Sequence, residues 1–246
     1  MKKYLLIWTL IALIPAAAGA QEFEKLFNGK DLSGWKGKSE FWSVKDGVIH
    51  GETTKENPTK GNTFLIWEGG EIGDFELKAV VRFKGNNSGV QYRSKVVNEE
   101  NFVLAGYQAD LHPKQEYFGM LYGEKLPGRG IIAQRGQRVE VGKDGKPKVV
   151  GEVGDKAELK DWEWNELRII AVGDRTVHQV NGVTTVDYID HHPEASRTGV
   201  IGLQLHGGAP MTVEFKSVEL RKLEGNEAQA TLKKAIESKA SAATKK

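Results

Sequence analysis

The feature that most constrains this chain is a two-residue period. In "FELKAVVRF", Phe75, Leu77, Ala79, Val81 and Phe83 alternate with Glu76, Lys78, Val80 and Arg82. That is the pattern of a strand with one buried face. Turn signals follow at short spacing: Asp46-Gly47, Asn86-Asn87, Asp144-Gly145 and Asn181-Gly182. The "QVNGVTT" segment predicts a tight hairpin, because Asn-Gly accepts the positive φ of a primed turn. No long amphipathic helix precedes the C-terminal segment. Short strands joined by such turns predict an all-β sandwich or barrel, and neither a repeat nor a linker divides it.

The two ends separate from this body by composition. Lys2 and Lys3, the apolar run "YLLIWTLIALIP" and "AGA" ending at Ala20 have the anatomy of a cleavable secretory signal. The run is shorter than the ~20 residues of a spanning helix. Residues 1–20 are therefore expected to be a signal peptide, and the mature chain to be periplasmic or secreted rather than membrane-spanning. The chain has no cysteine, which excludes disulfides, thiolate chemistry and a lipid anchor on cysteine. From Glu224 the sequence is rich in Ala, Lys, Ser and Thr. Leu232 and Ile236 allow a short helix, but residues 224–246 are expected to be a solvated, disordered tail. With 35 basic against 33 acidic residues, nothing marks a nucleic-acid surface.

Three segments of the body, residues 21–223, share a second pattern. In "YQADLH", Tyr107, Ala109 and Leu111 fall on one face and Gln108, Asp110 and His112 on the other. "GVQYR" places Val90 and Tyr92 opposite Gln91 and Arg93, and "VIGLQLHG" places Ile201, Leu203 and Leu205 opposite Gln204 and His206. A merely solvated sheet face is dressed in Lys, Glu and Thr. Gln, Arg, Asp and His instead make directed hydrogen bonds and transfer protons. Neighbouring strands of this kind would form a concave polar surface suited to a sugar. Tyr92, Tyr107, Tyr122 and Trp67 are candidate aromatic platforms, although the period turns Tyr92 and Tyr107 toward the core.

These residues also carry a resemblance. "LFNGKDLSGW", W-x-V-x-D-G at Trp42 to Gly47, "SGVQYRS", "GYQADLH", "GMLYGE" with a following "GRG", Trp164-Asn165, "VNG" and "GVIGLQLHGG" occur in that order. Together, over Phe23 to Leu223, they resemble the 3-keto-disaccharide hydrolase family, a former domain of unknown function. The resemblance implies a single-domain, concanavalin A-like jelly-roll sandwich of two antiparallel sheets that acts on oxidised glycosides. A ketone at sugar C3 acidifies the C2 proton, so the aglycone at C1 can leave by elimination and water can add afterwards. Such a site needs a base near C2, donors at the C3 oxygen and an acid for the leaving group. A carbohydrate substrate and a functional link to a sugar 3-dehydrogenase follow from that chemistry.

Asp110, His206 and Glu124 are the expected catalytic residues. Gln91, Arg93, Gln108, His112, Tyr122, Arg129 and Gln204 are expected to bind substrate. Glu124 and Arg129 enter through matching family positions, and His112 stands where relatives often carry a small residue. A possible divalent metal ion would draw on Asp110, His112, His206 and Glu124. "HHP" at His191 to Pro193 reads as a polar surface loop. No alternating carboxylate run of the jelly-roll glucanase kind is present, which counts against an ordinary two-carboxylate glycosidase. The alternative from another class is a non-catalytic carbohydrate-binding module using the same concave face.

Overall fold

The computed structural model describes residues 21–126, 129–154, 158–159 and 162–238. The expected signal segment lies outside the described residues. Among those described, no helix is long and apolar enough to cross a membrane.

The turn chemistry builds hairpins. Asp46 and Gly47 (φ 50° and 75°) join the strands Trp42–Lys45 and Val48–Thr53. Asn181 and Gly182 (φ 49° and 79°) join Arg175–Val180 to Val183–Asp190. Positive φ at both central positions matches the twist of the flanking strands. Asn86-Asn87 does something different. It links Phe75–Gly85 to Ser88–Asn98, which lie in different sheets, and so forms a corner of the sandwich.

Two sheets result, and they form the expected jelly-roll sandwich. One has ten strands, running from Pro147–Glu152 through the central Asn165–Val172, Phe75–Gly85 and Met211–Lys222 to Trp42–Lys45. The other has seven, in the order Ile131–Ala133, Leu121–Glu124, Val103–Leu111, Ser88–Asn98, Val200–Leu205, Thr63–Trp67, Trp35–Lys36. Pairing is antiparallel apart from Gln137–Val141 against Val183–Asp190, which is parallel.

The alternation read from the sequence decides which residues fill the interior. Phe75, Leu77, Ala79 and Val81 from the larger sheet are fully buried in one cluster with Val90, Tyr92, Ala109, Leu111, Ile201, Leu203 and Leu205 from the smaller. Burial at about 25 cal/mol per Å² of apolar surface makes this layer the main stabilising term. It also fixes the register of three adjacent strands, because a one-residue slip would turn every core side chain to solvent.

The segment expected to be a solvated tail is structured as far as it is described. Gly225–Glu237 forms a helix. Ala228, Leu232 and Ala235 pack with Ile170, Val172, Val177 and Leu223 on the outer side of the ten-stranded sheet. Gln179 Nε2 and Thr184 Oγ1 both donate to the Ala235 carbonyl, at 3.2 and 3.0 Å. The stripe is made largely of alanine, so it carries little weight in a search for bulky apolar residues. It suffices here because a ready apolar strip on the sheet receives it.

Candidate active site

Adjacent strands place the glutamines. Gln91 stands directly opposite Gln108 across the Ser88–Asn98 and Val103–Leu111 pair, and Gly202 stands opposite Gln91 on the other side. Gln204 follows on Val200–Leu205. The three form a buried polar floor on the outer face of the seven-stranded sheet. Gln91 Oε1 and Nε2, Gln108 Oε1 and Gln204 Nε2 all lack a partner within the protein. Buried amide groups normally find one in the chain or in bound water.

Asp110 sits at the end of this floor and is 3% exposed. Its Oδ1 accepts a 2.6 Å hydrogen bond from Gln108 Nε2, and Gln108 Nε2 also reaches Gln204 Oε1 at 3.4 Å. Burial raises the Asp110 carboxyl to about 7; the Gln108 bond opposes the rise and the nearby Glu124 charge adds to it. A carboxyl poised there exchanges protons at neutral pH, which an exposed aspartate does not.

Around Asp110 the fold arranges the other groups. Glu124, at the end of Leu121–Glu124, is buried and raised above the ordinary carboxylate range by desolvation. It accepts from Asn62 Nδ2 at 3.2 Å. Asn62 Oδ1 in turn accepts from the Gly207 amide at 3.0 Å and ties this corner to His206. His206 Nδ1 lies 2.6 Å from the Gly207 carbonyl, which can only accept. Nδ1 therefore carries the proton and Nε2 the lone pair of the neutral ring. His112 has the opposite arrangement. Its Nδ1 accepts the Lys114 amide at 3.0 Å, leaving the proton on Nε2. Tyr117 meets the His112 ring edge-on, with centroids 4.9 Å apart.

These groups line a cleft of about 430 Å³ with Asn87, Met120, Tyr122 and Ile131. That is within the roughly 300–1,000 Å³ of small-molecule sites. Asp110, His112, Glu124, His206, Gln108, Gln204 and Tyr122 thus come together as the sequence suggests, whereas Gln91, opposite Gln108, is fully buried and does not line the cleft. Asn62, Asn87 and Tyr117 also border the cleft and were not anticipated. They come from loops without periodicity, where only the Asn-Asn turn signal hinted at a polar corner.

Two expected substrate-binding residues are elsewhere. Arg93 adopts φ 46° in a bulge between Tyr92 and Lys95 that breaks the strand period. Its side chain turns away from the glutamine floor and donates to the carbonyls of Gly73 and Gly173 and to Asp74 Oδ1, at 3.1, 2.8 and 2.9 Å. Arg129 binds Asp190 Oδ2 at 2.5 Å and Tyr188 Oη at 3.1 Å, in a separate cleft. Trp67, Tyr92 and Tyr107 are buried in the core, which leaves Tyr122 as the cleft's aromatic among the platform candidates. As for a metal, no three His, Asp or Glu side chains among the described residues come together as ligands. The expected quartet borders one cleft without converging on a point.

Comparison with known proteins adds two findings. Residues 22–221 match the family described as the 3-keto-alpha-glucoside-1,2-lyase-like domain. Two structures of proteins from Parabacteroides distasonis ATCC 8503 assigned as glycosyl hydrolases share the fold. Each is 20% identical over 82% of this chain; they are covered to 100% and 94%, with TM-scores of 0.54 and 0.55. A Bacillus subtilis protein of unknown function with a galectin-like fold is 9% identical, with a TM-score of 0.54 over 83% of this chain and 98% of its own. No curated protein matches the chain.

Proposed function

This chain belongs to the 3-keto-α-glucoside-1,2-lyase-like family, and from that membership we propose that it cleaves the glycosidic bond of 3-keto-glycosides in the Asp110 cleft. The domain is carbohydrate-acting and glycosyl hydrolase-like; the 3-keto substrate is the proposed step. The observation that carries it is a buried carboxyl held near neutrality beside a second buried carboxyl and a histidine with a free lone pair.

The ketone changes what the enzyme must do. Breaking an unoxidised glycoside needs an oxocarbenium-like transition state flanked by two carboxylates. A 3-ketone offers an enolate route, whose first demand is one base near C2. The Asp110 carboxylate takes the C2 proton, and the electron pair moves into the C2–C3 bond and onto the C3 oxygen. His112 Nε2–H and the Tyr122 hydroxyl are the donors suited to that oxygen, and the unpaired glutamine groups suit the ring hydroxyls or the waters that bridge to them. As the enolate collapses, the C1–O bond breaks and Glu124, whose proton affinity burial raises, is the acid placed to protonate the departing oxygen. The products are an enone and the free aglycone. If water then adds at C1, Glu124 takes its proton and Asp110 returns the first proton to C2. The net reaction is then hydrolysis and both carboxyl groups are restored.

The substrate ketone requires a preceding oxidation at C3, which implies a partner sugar 3-dehydrogenase. The charged and apolar blocks of residues 1–20 support export, and with it a periplasmic or secreted site of action. The experiment is aglycone release from a chromogenic 3-keto-glucoside and its unoxidised parent. Release from the keto compound alone supports the reading. Binding of both sugars without cleavage replaces it with a non-catalytic carbohydrate-binding module.

A further inference from the structure

Arg129, which lies outside the Asp110 cleft, meets His192 and Pro193 of the "HHP" loop in a second one. This cleft, of about 410 Å³, lies between Leu126, Arg129, residues 192–198 and the strand edges at Lys95 and Tyr107. Asp190 organises it from behind. Its Oδ2 accepts from Arg129, Tyr107 and Tyr188 at 2.5 to 2.6 Å. Its Oδ1 accepts the His192 amide at 3.0 Å, and its main-chain carbonyl accepts from Arg197 Nη2 at 2.5 Å. One buried residue therefore holds both guanidiniums at this cleft.

The donors left over are numerous. Among the described residues, Arg129 reaches its partners through Nη1 and Arg197 through Nη2. His192 Nδ1 accepts the Glu194 amide at 3.2 Å, so the ring proton is on Nε2. Among the described lining residues, Glu194 is the single carboxylate at the surface, against Lys95, Arg129 and Arg197. Asp190 offsets the charge of Arg129. Among the described residues, the partner of the Arg197 guanidinium is a carbonyl and not a carboxylate.

We propose that this cleft is a second ligand site, taking a small oxyanion, a carboxylate or phosphate group, between the guanidiniums of Arg129 and Arg197. Planar forks with spare N–H groups match such oxygens two at a time, and pre-positioning by Asp190 removes the ordering cost that flexible surface arginines carry. The site does not depend on the reaction proposed above, and its test reads binding alone.

The experiment is calorimetric titration of the purified protein with glucuronate, glucose 6-phosphate, inorganic phosphate and glucose. Anion binding that weakens as salt rises and that glucose does not displace is expected. Glucuronate without the phosphates marks a carboxylate ligand, and the reverse a phosphate ligand. Arg197→Gln should weaken anion binding about tenfold, the scale of one lost charge-assisted contact. It leaves the Asp190 carboxylate network intact, so a folded variant is expected, checked by its melting temperature. Asp110→Asn should leave anion binding unchanged. Displacement of the anions by glucose, absence of anion binding, or anion binding lost in Asp110→Asn but kept in Arg197→Gln overturns the proposal.

Discussion

Gln108 Nε2 and Asp110 Oδ1 are 2.6 Å apart, two residues along the same strand and on the same face. Burial holds the Asp110 carboxyl near 7, and this bond is what restrains it from going higher. Asp110→Asn should lower kcat by at least the roughly 10²–10⁴ of general acid–base catalysis. The wild-type pH–rate profile should show a limb near 7. In Gln108→Leu that limb should move to higher pH, because the contact favouring the carboxylate is gone. An unmoved limb would assign Gln108 to holding the sugar and not to tuning Asp110.

Gly89 leaves the space that Gln108 fills. A Cβ built there would lie 2.4 Å from Gln108 Cδ and 2.6 Å from Cγ. Gly89→Ala should therefore displace the amide from Asp110, cost about 1–3 kcal/mol of stability through overpacking, and depress kcat/KM. The double variant Gly89→Ala with Gln108→Ala should regain stability, since the second change removes the clashing atoms. Additive losses in that cycle would show that the two positions do not meet.

The site was legible in the sequence wherever a two-residue period ran unbroken. Gln91, Gln108, Asp110 and Gln204 were assigned to one face because Val90, Ala109, Leu111, Ile201 and Leu203 had to occupy the other, and burial enforces that choice. Arg93 was misassigned because a bulge reverses the direction of the chain's next side chain, and no local residue announces it. Arg129 follows no period; its place depends on Asp190, sixty-one residues later in the chain. Asn62 is held by loop contacts of the same long-range kind, to Glu124 and Gly207. The C-terminal helix was undervalued because alanines count for little until the surface that receives them is known.

Two buried groups should give stability an unusual pH dependence. The Asp110 carboxyl is raised from 3.8 to about 7 in the fold, so its contribution is full below about pH 4 and is lost as pH rises through 7. His178 is fully buried, accepts from the Tyr92 hydroxyl at 2.8 Å and is lowered from 6.5 to about 4 by desolvation. Its neutral form is favoured, so stability is lost as pH falls from 6.5 toward 4. Between pH 4 and 6.5 the two slopes oppose, each at about 1.4 kcal/mol per unit. Melting temperatures of Asp110→Asn should exceed wild type at pH 8 and decline on acidification to pH 5, where wild type stays nearly level. Parallel curves for the two proteins would refute the buried-acid assignment.

The helix Gly225–Glu237 packs on the sheet that does not carry the Asp110 cleft. Truncation after Glu224 would uncover Ile170, Val172 and Val177. It should cost about 2–4 kcal/mol, the scale of a few apolar side chains returned to water, and promote aggregation on heating. Turnover per folded molecule should be unchanged. A fall in kcat at full folding would mean that the helix acts on the cleft through the sandwich.

Arg93 offers the sharpest separation of a structural from a binding role. Its side chain is 2% exposed and joins three partners, Gly73, Gly173 and Asp74, from loops at the end of the sandwich. Removing the guanidinium takes a donor from the Gly73 and Gly173 carbonyls and from Asp74, which is 35% exposed and keeps the Gly173 amide. Arg93→Met should therefore destabilise the fold by about 3 kcal/mol, toward the lower end of losses from breaking a buried pair because water reaches Asp74. Measured well below its melting temperature, the variant should keep the wild-type KM and pH–rate profile. A raised KM with an unchanged melting temperature would return Arg93 to the substrate and contradict the bulge that turns it away.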